Sequence, residues 1–116
     1  MFNFKKLTMF LLLFSPLVSA QEEVSFVEYE AVTEFTKELA AECKRALQSN
    51  SRMERCDEFH QYLDDRYEPL SNAFMDHFQR EGAEVFSGVD AVRMETHKRT
   101  QERLTRDIYY ITERLR

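Results

Sequence analysis

Residues that break secondary structure are scarce in this chain of 116 residues, which holds two glycines, two prolines and no tryptophan. Beyond Pro16, the breakers are Pro69, Gly82 and Gly88. The remainder is rich in glutamate, arginine, alanine and leucine, which favour helix over sheet. We therefore predict an all-α fold, a small domain of three to four helices.

Motifs of catalysis and cofactor binding are missing as well. The chain has no C-x-x-C-H, no H-E-x-x-H, no glycine-rich phosphate loop and no G-x-S-x-G. Asp64 and Asp65 are adjacent, so on a helix they point about 100° apart, which is poor geometry for acid and base catalysis. We expect neither an enzyme nor a cofactor, and an active site of a new kind is the alternative.

The histidines are the remaining candidates for metal ligands: His60, His77 and His97. Asp57, His60 and Asp64 share one side of a predicted helix, and an acid three residues before a histidine is half of a di-metal pattern. The other two histidines have an apolar residue at that offset. We expect no metal site, with His60 and His77 beside the apolar stripes, bonded to a carboxylate or to water, and His97 in solvent.

Residues 1–20 read as a secretory signal peptide. Lys5 and Lys6 precede an apolar run, Leu7 to Phe14, and Val18-Ser19-Ala20 is a small-residue cleavage site. The run is shorter than the ~20 residues that a spanning helix needs, and an uncleaved anchor is the alternative. We predict a periplasmic or secreted protein whose residues 21–116 form a single helical domain.

The two cysteines, Cys43 and Cys56, lie symmetrically about the polar segment Gln48 to Ser51. If both flanks are helical and the chain turns back there, the two sulfurs face each other. In an exported domain of this size a disulfide is the expected outcome. The alternatives are free buried thiols or, with lower weight because the spacing does not fit zinc, a metal site.

The first two predicted helices flank that turn. An apolar stripe at spacings of three and four runs from Val24 to Leu47. The second helix begins at Ser51, where S-R-M-E with Glu54 is a capping box. Folding the pair about its midpoint places Cys43 opposite Cys56 and Val32 opposite Tyr67, so apolar stripes and cysteines agree on one register.

The last two predicted helices are less regular. Pro69 should break or kink the chain and start a third helix, which weakens at Gly82. Ser87 is the expected N-cap of a fourth helix, with Asp90 three residues later. Its middle, residues 95–103, is almost wholly polar, so that part is either solvated or held by charges.

Charge is unevenly distributed. Residues 21–89 hold 16 acidic and 7 basic side chains, a net charge of −9, whereas residues 90–116 hold 5 and 7. Nucleic acid is therefore not an expected partner. In the first helix every fourth residue is an acid: Glu30, Glu34, Glu38 and Glu42. This row is a solvated face, an internal partner of Arg99, Arg103 and Arg106, or a docking surface for a cationic protein.

The segment from Cys43 to Cys56, with Met53 three residues before the second cysteine, resembles the start of the LprI-type lysozyme-inhibitor domain of exported bacterial proteins. The resemblance implies inhibition of a cell-wall hydrolase. It covers about a quarter of residues 21–116. The chain departs from that family in having no further cysteine and no tryptophan, and we transfer no functional residues.

These observations favour a non-enzymatic, protein-binding module, an inhibitor or immunity-type protein against a cationic envelope or cell-wall enzyme, with the glutamate row as its candidate binding residues. The alternative is an oligomeric structural or chaperone-like periplasmic protein. That alternative predicts self-association through an exposed seam at the chain end: Leu104, Ile108, Ile111 and Leu115.

Overall fold

The computed structural model describes residues 24–50 and 53–115, and in these segments the chain is helical with no strand. A π-helical turn, Leu63–Tyr67, joins the second helix to the third, and a 3₁₀ segment, Gly82–Phe86, follows the third. The four helices are α1 (Phe26–Gln48), α2 (Glu54–Tyr62), α3 (Glu68–Glu81) and α4 (Ala91–Arg114). The all-α prediction is confirmed. The predicted signal peptide lies outside the described residues.

The hairpin of α1 and α2 forms as predicted. Ser25 caps α1, its Oγ accepting a hydrogen bond from the Glu28 amide at 3.1 Å. Cys43 and Cys56 form a disulfide, with 4.5 Å between their Cα atoms, and both are buried. The predicted cap at Ser51 lies outside the described residues, and α2 begins at Glu54.

The chain does not break at Pro69, although an α-helical element does begin there with the proline in its first turn, as predicted. Residues on both sides of the π-helical turn keep right-handed helical angles, so α2 and α3 form one continuous helical rod. Proline lacks an N–H and crowds the preceding turn of an α-helix. The π-helical turn lies directly before it, and its wider hydrogen-bond ring is the kind of local adjustment that spares a helix from ending.

The connection from α3 to α4 begins at Gly82, whose φ of 70° ends the α-helix. The predicted N-cap at Ser87 is wrong. Asp90 caps α4 instead, since its Oδ1 accepts a hydrogen bond from the Arg93 amide at 2.8 Å. Serine and aspartate can both accept a hydrogen bond from a free amide at the start of a helix, and the aspartate carboxylate also suits the positive end of the helix dipole. Both residue types are therefore suitable N-caps.

The helices form an up-down-up bundle of three rods. The rod of α2 and α3 runs antiparallel to α1, because the Cys43–Cys56 bond lies at one end and the contact between the Val24 carbonyl and His77 Nδ1, at 3.2 Å, lies at the other. Helix α4 runs parallel to α1. None of the helices in the described part of the chain combines the length and apolarity needed to cross a bilayer.

Two apolar clusters fill the bundle. The disulfide-end core consists of Leu39, Ala40, Cys43, Cys56, Phe59, Leu63, Leu104 and Ile111. The aromatic core, at the opposite end, is built on Val24, Phe26, Tyr29 and Phe74. Leu104 and Ile111 are 1% and 0% exposed. The predicted self-association seam is therefore mostly inside the bundle, with Leu115 as its exposed member.

Candidate functional site

The glutamates at every fourth residue of α1 do not share one face. With 3.6 residues per turn, each step of four residues rotates about 40° further around the helix, so Glu30 and Glu42 differ by about 120°. The row therefore winds from the side of α1 that meets α4 to the side that meets α2. Its members have different surroundings.

Glu30 is held by α4. Arg93 donates to both carboxylate oxygens, with Nη2 at 2.6 Å from Oε1 and Nε at 2.9 Å from Oε2. This bidentate hydrogen bonding keeps the pKa of Glu30 below its ordinary value, and it raises the pKa of Arg93. The first glutamate of the row thus contributes to the packing of α4 on α1.

Of the other three glutamates, two contact other side chains and one faces solvent. Glu34 accepts a hydrogen bond from Thr100 Oγ1 at 2.9 Å and lies 3.3 Å from Lys37 Nζ. Glu42 lies 3.6 Å from Arg55 Nε across the hairpin. Glu38 is exposed. Part of the row is therefore used internally.

The internal pairing considered for the row, with arginines in the middle of α4, is not what the structure shows. Arg99 lies 3.6 Å from Glu95 on its own helix, and both Arg103 and Arg106 are exposed. Among the described residues, the α4 cation that pairs with the row is Arg93, two residues before the polar middle of α4 begins.

A groove between α1 and the α2 rod is the candidate binding surface, which we call the hairpin groove. Its volume is about 260 Å³. The lining residues are Phe35, Leu39, Glu58, Gln61, Tyr62, Asp65 and Arg66. Phe35 is 49% exposed although it belongs to the apolar pattern of α1, and its ring meets that of Tyr62 edge to face at 4.8 Å. The exposed Phe35 ring thus lies on the outside of the hairpin against the partly buried Tyr62.

Carboxylates flank this aromatic pair. Glu58 and Asp65 are seven residues apart on the same side of the α2 rod, with Tyr62 between them. The Glu58 side chain is 54% exposed and lies 3.5 Å from Arg55 Nη1, while Asp65 is exposed. Aromatic faces and carboxylates together suit a lysine or arginine side chain, which gains from both.

The three histidines have different surroundings. In the described part of the chain no three histidine, cysteine or acidic residues are grouped to hold a metal ion. His77 is buried against the Val24 carbonyl, so its partner is backbone rather than a carboxylate. His60 is half-buried beside Phe59, at 5.1 Å between ring centroids.

The expectation that His97 lies in solvent is wrong. It is 6% exposed, and its ring packs edge to face against Phe26 and Tyr29. Burial lowers the pKa of His97, whereas the charges of Glu30 and Glu34 act in the opposite direction. The sequence did hold a signal, because His97, Thr100, Leu104, Asp107 and Ile111 recur at spacings of three and four.

The hairpin groove was also missed at the level of sequence. Phe35 occurs within an apolar stripe, and a stripe residue is normally assigned to the core. Phe35 is exposed because it lies at the edge of the buried face of α1, where only Tyr62 packs against one side of its ring. The spacing of Glu58, Tyr62 and Asp65, at i, i+4 and i+7, was the available signal for a shared face.

No family model matches this chain, and neither a curated protein nor a solved structure matches it. The resemblance to an inhibitor domain is therefore limited to the Cys43 to Cys56 segment.

Proposed function

We propose that this protein is an exported, non-enzymatic binding module that neutralises a basic protein of the cell envelope, such as a cell-wall hydrolase. The observation that carries the proposal is the hairpin groove, where the 49% exposed Phe35 and the partly buried Tyr62 lie between Glu58 and Asp65. We assign the docking of a partner lysine or arginine to this groove.

The composition of the groove is that of a protein-binding hot spot. Exposed aromatic side chains provide apolar area that is released from water on binding, and aromatic residues dominate the energetics of such surfaces. A cation placed over an aromatic ring gains roughly 0.5 to 2 kcal/mol, depending on how far it is desolvated. Flanking carboxylates would then select a basic partner over a neutral one.

The hairpin also meets the requirement for rigidity. The groove has one wall on α1 and the other on the α2 rod, and the Cys43–Cys56 bond joins these two helices. A surface fixed before binding loses less conformational entropy when the partner docks. The disulfide thus supports function as well as stability.

Long-range charge supports the same partner class. The acidic excess of residues 21–89 would attract a basic protein and raise its association rate, an effect that salt screens over about 10 Å at 0.1 M. Within the glutamate row, Glu38 is placed to contribute to this field because it is exposed. Glu30 and Glu34 are better assigned to holding α4.

The first test is an affinity pull-down from envelope extract with the oxidised protein lacking the predicted leader, at about 50 mM and about 500 mM salt. We expect one basic protein to be retained at low salt and released at high salt. The variant Glu58→Lys with Asp65→Lys should lose it. A control with Glu102→Lys, an exposed acid on α4, should retain it.

Recovery of the same protein by the groove variant would contradict the assignment of the groove. Recovery of the protein itself alone, or of many unfolded clients, would instead favour the oligomeric or chaperone-like alternative. Mass spectrometry of the eluate distinguishes these results.

A further inference from the structure

A second cavity lies at the other end of the bundle, between α1, α3, the 3₁₀ segment and α4. Its volume is about 510 Å³, within the range of roughly 300 to 1,000 Å³ that small-molecule sites occupy. The walls come mainly from Tyr29, Phe74, Met75, Phe86 and Met94. We call it the aromatic cavity.

The wall of the aromatic cavity is rigid on one side and adaptable on the other. Tyr29 and Phe74 stack at 4.6 Å between ring centroids, and Phe86 meets Phe74 edge to face at 5.7 Å. Met75 and Met94 are flexible and can follow the shape of an alkyl chain. Such a wall suits an apolar ligand body.

Two polar groups at the cavity have no hydrogen-bond or ion-pair partner among the described residues. His97 lines it while being 6% exposed, and its Nδ1 has no hydrogen-bond partner among the described residues. Buried polar atoms are normally bonded, so a buried nitrogen without a partner is unusual. Lys98 lines the cavity and is exposed, and no carboxylate in the described segments forms an ion pair with it.

The other polar groups at the cavity are already engaged. Gln101 donates from Nε2 to the Tyr29 hydroxyl at 2.7 Å, and Glu95 lies 3.6 Å from Arg99. The cavity therefore offers one cation and one buried imidazole to a ligand. A single negative charge matches this set, whereas the nearby Glu95 carboxylate opposes a doubly charged head group.

We propose that the aromatic cavity binds a small amphipathic carboxylate, a medium-chain alkyl acid, with its chain among the aromatic and methionine side chains. Lys98 pairs with the carboxylate, and the His97 imidazole donates from Nδ1 to one of its oxygens, which gives that buried nitrogen the partner it lacks. This site is separate from the hairpin groove, so the proposal does not depend on the proposed function.

The test compares decanoate with decanol, which share the alkyl chain and differ in the charged group. Calorimetric titration of the protein should give one decanoate site, with decanol about tenfold weaker, the ratio expected of one charge-assisted hydrogen bond. Lys98→Met should reduce decanoate binding to the level of decanol. Arg103→Gln, an exposed cation elsewhere on α4, should leave it unchanged.

Two variants block the cavity from different sides. Ala91→Trp fills it from the start of α4, and Met75→Trp fills it from α3, where Met75 is 46% exposed. Either variant should abolish binding of both ligands, while Tyr109→Trp, at a residue 68% exposed on the far part of α4, should preserve it. Circular dichroism identifies which variants remain folded.

Absence of decanoate binding, equal affinity for decanoate and decanol, or binding that survives in a folded blocking variant would overturn the proposal.

Discussion

Arg93 on α4 donates three hydrogen bonds to the carboxylate of Glu30 on α1, at distances between 2.6 and 3.1 Å. The two residues are 63 positions apart, and their contact fixes the start of α4 on the hairpin. A guanidinium provides two parallel donors to a carboxylate, a geometry that lysine cannot reproduce. The contact therefore depends on arginine rather than on positive charge alone.

Replacing Arg93 should destabilise the bundle for this reason. We expect Arg93→Gln to lower the midpoint of thermal unfolding, and Arg93→Lys to recover only part of the loss. Arg99→Gln is the matched control, because the Arg99 side chain is 74% exposed and pairs only within α4. A midpoint unchanged in Arg93→Gln would show that this contact does not hold the helix.

Two glutamates of the row should respond differently to charge reversal. Glu34→Lys removes the carboxylate that accepts from the Thr100 hydroxyl at 2.9 Å and leaves only the bond to the Thr96 carbonyl at 3.1 Å, so it should cost about 1 kcal/mol in the free energy of unfolding. Glu38→Lys should change it by less than about 0.5 kcal/mol, since Glu38 is exposed. Urea unfolding measures both. Equal effects would mean that the row acts as one unit, contrary to its winding around α1.

The buried His97 should make stability depend on pH. Burial lowers its pKa in the folded protein, whereas the unfolded chain titrates near 6.5. As the pH falls from about 7.5 towards 5.5, the unfolded chain takes up a proton that the folded protein resists. The free energy of unfolding should therefore decrease over this window.

The variant His97→Gln should flatten that decrease, and His60→Gln, at a half-buried site near the disulfide-end core, should leave it intact. Urea unfolding at several pH values provides the comparison. A slope that persists in His97→Gln would assign the pH dependence to other groups.

Loss of the disulfide should weaken the hairpin. The bond between Cys43 and Cys56 closes a loop across a sequence separation of 13, for which the chain-entropy estimate is about 3 kcal/mol. The double variant Cys43→Ala with Cys56→Ala should lose about that amount in urea unfolding. A loss below about 1 kcal/mol would mean that the apolar packing alone sets the register of the hairpin.

Sequence reasoning succeeded where independent local signals agreed. The spacing of apolar residues and the position of the cysteines indicated the same hairpin register, and Cys43 does face Cys56. Further along the rod, Tyr67 stacks on Tyr29 at 6.3 Å between ring centroids, and Tyr29 lies one helical turn before Val32, the residue predicted to face Tyr67. The π-helical turn lies in that stretch of the rod.

Prediction from the sequence failed where polar side chains form contacts between helices. His97, Thr100 and Asp107 are buried on α4, although threonine and aspartate are mostly exposed in proteins and histidine is intermediate. Their burial depends on partners far away in sequence, such as Lys44, whose Nζ lies 3.1 Å from Asp107. Such partners become visible only when the helices are docked.

The hairpin groove was hidden for the opposite reason. Phe35 is an apolar residue in an apolar pattern, and its exposure depends on how far the α2 rod covers it. The groove also needs Glu58 and Asp65 on the neighbouring rod, so no single helix reveals it.

The most direct test of the account is the affinity of the recovered basic partner for the wild-type protein and for three variants, measured by surface plasmon resonance at two salt concentrations. We predict that Phe35→Ala weakens binding about tenfold or more at either salt concentration, as loss of an aromatic hot spot does. Asp65→Lys should weaken it most at low salt, and Glu102→Lys should match the wild type. Equal affinity of all four proteins would contradict the hairpin groove as the binding site.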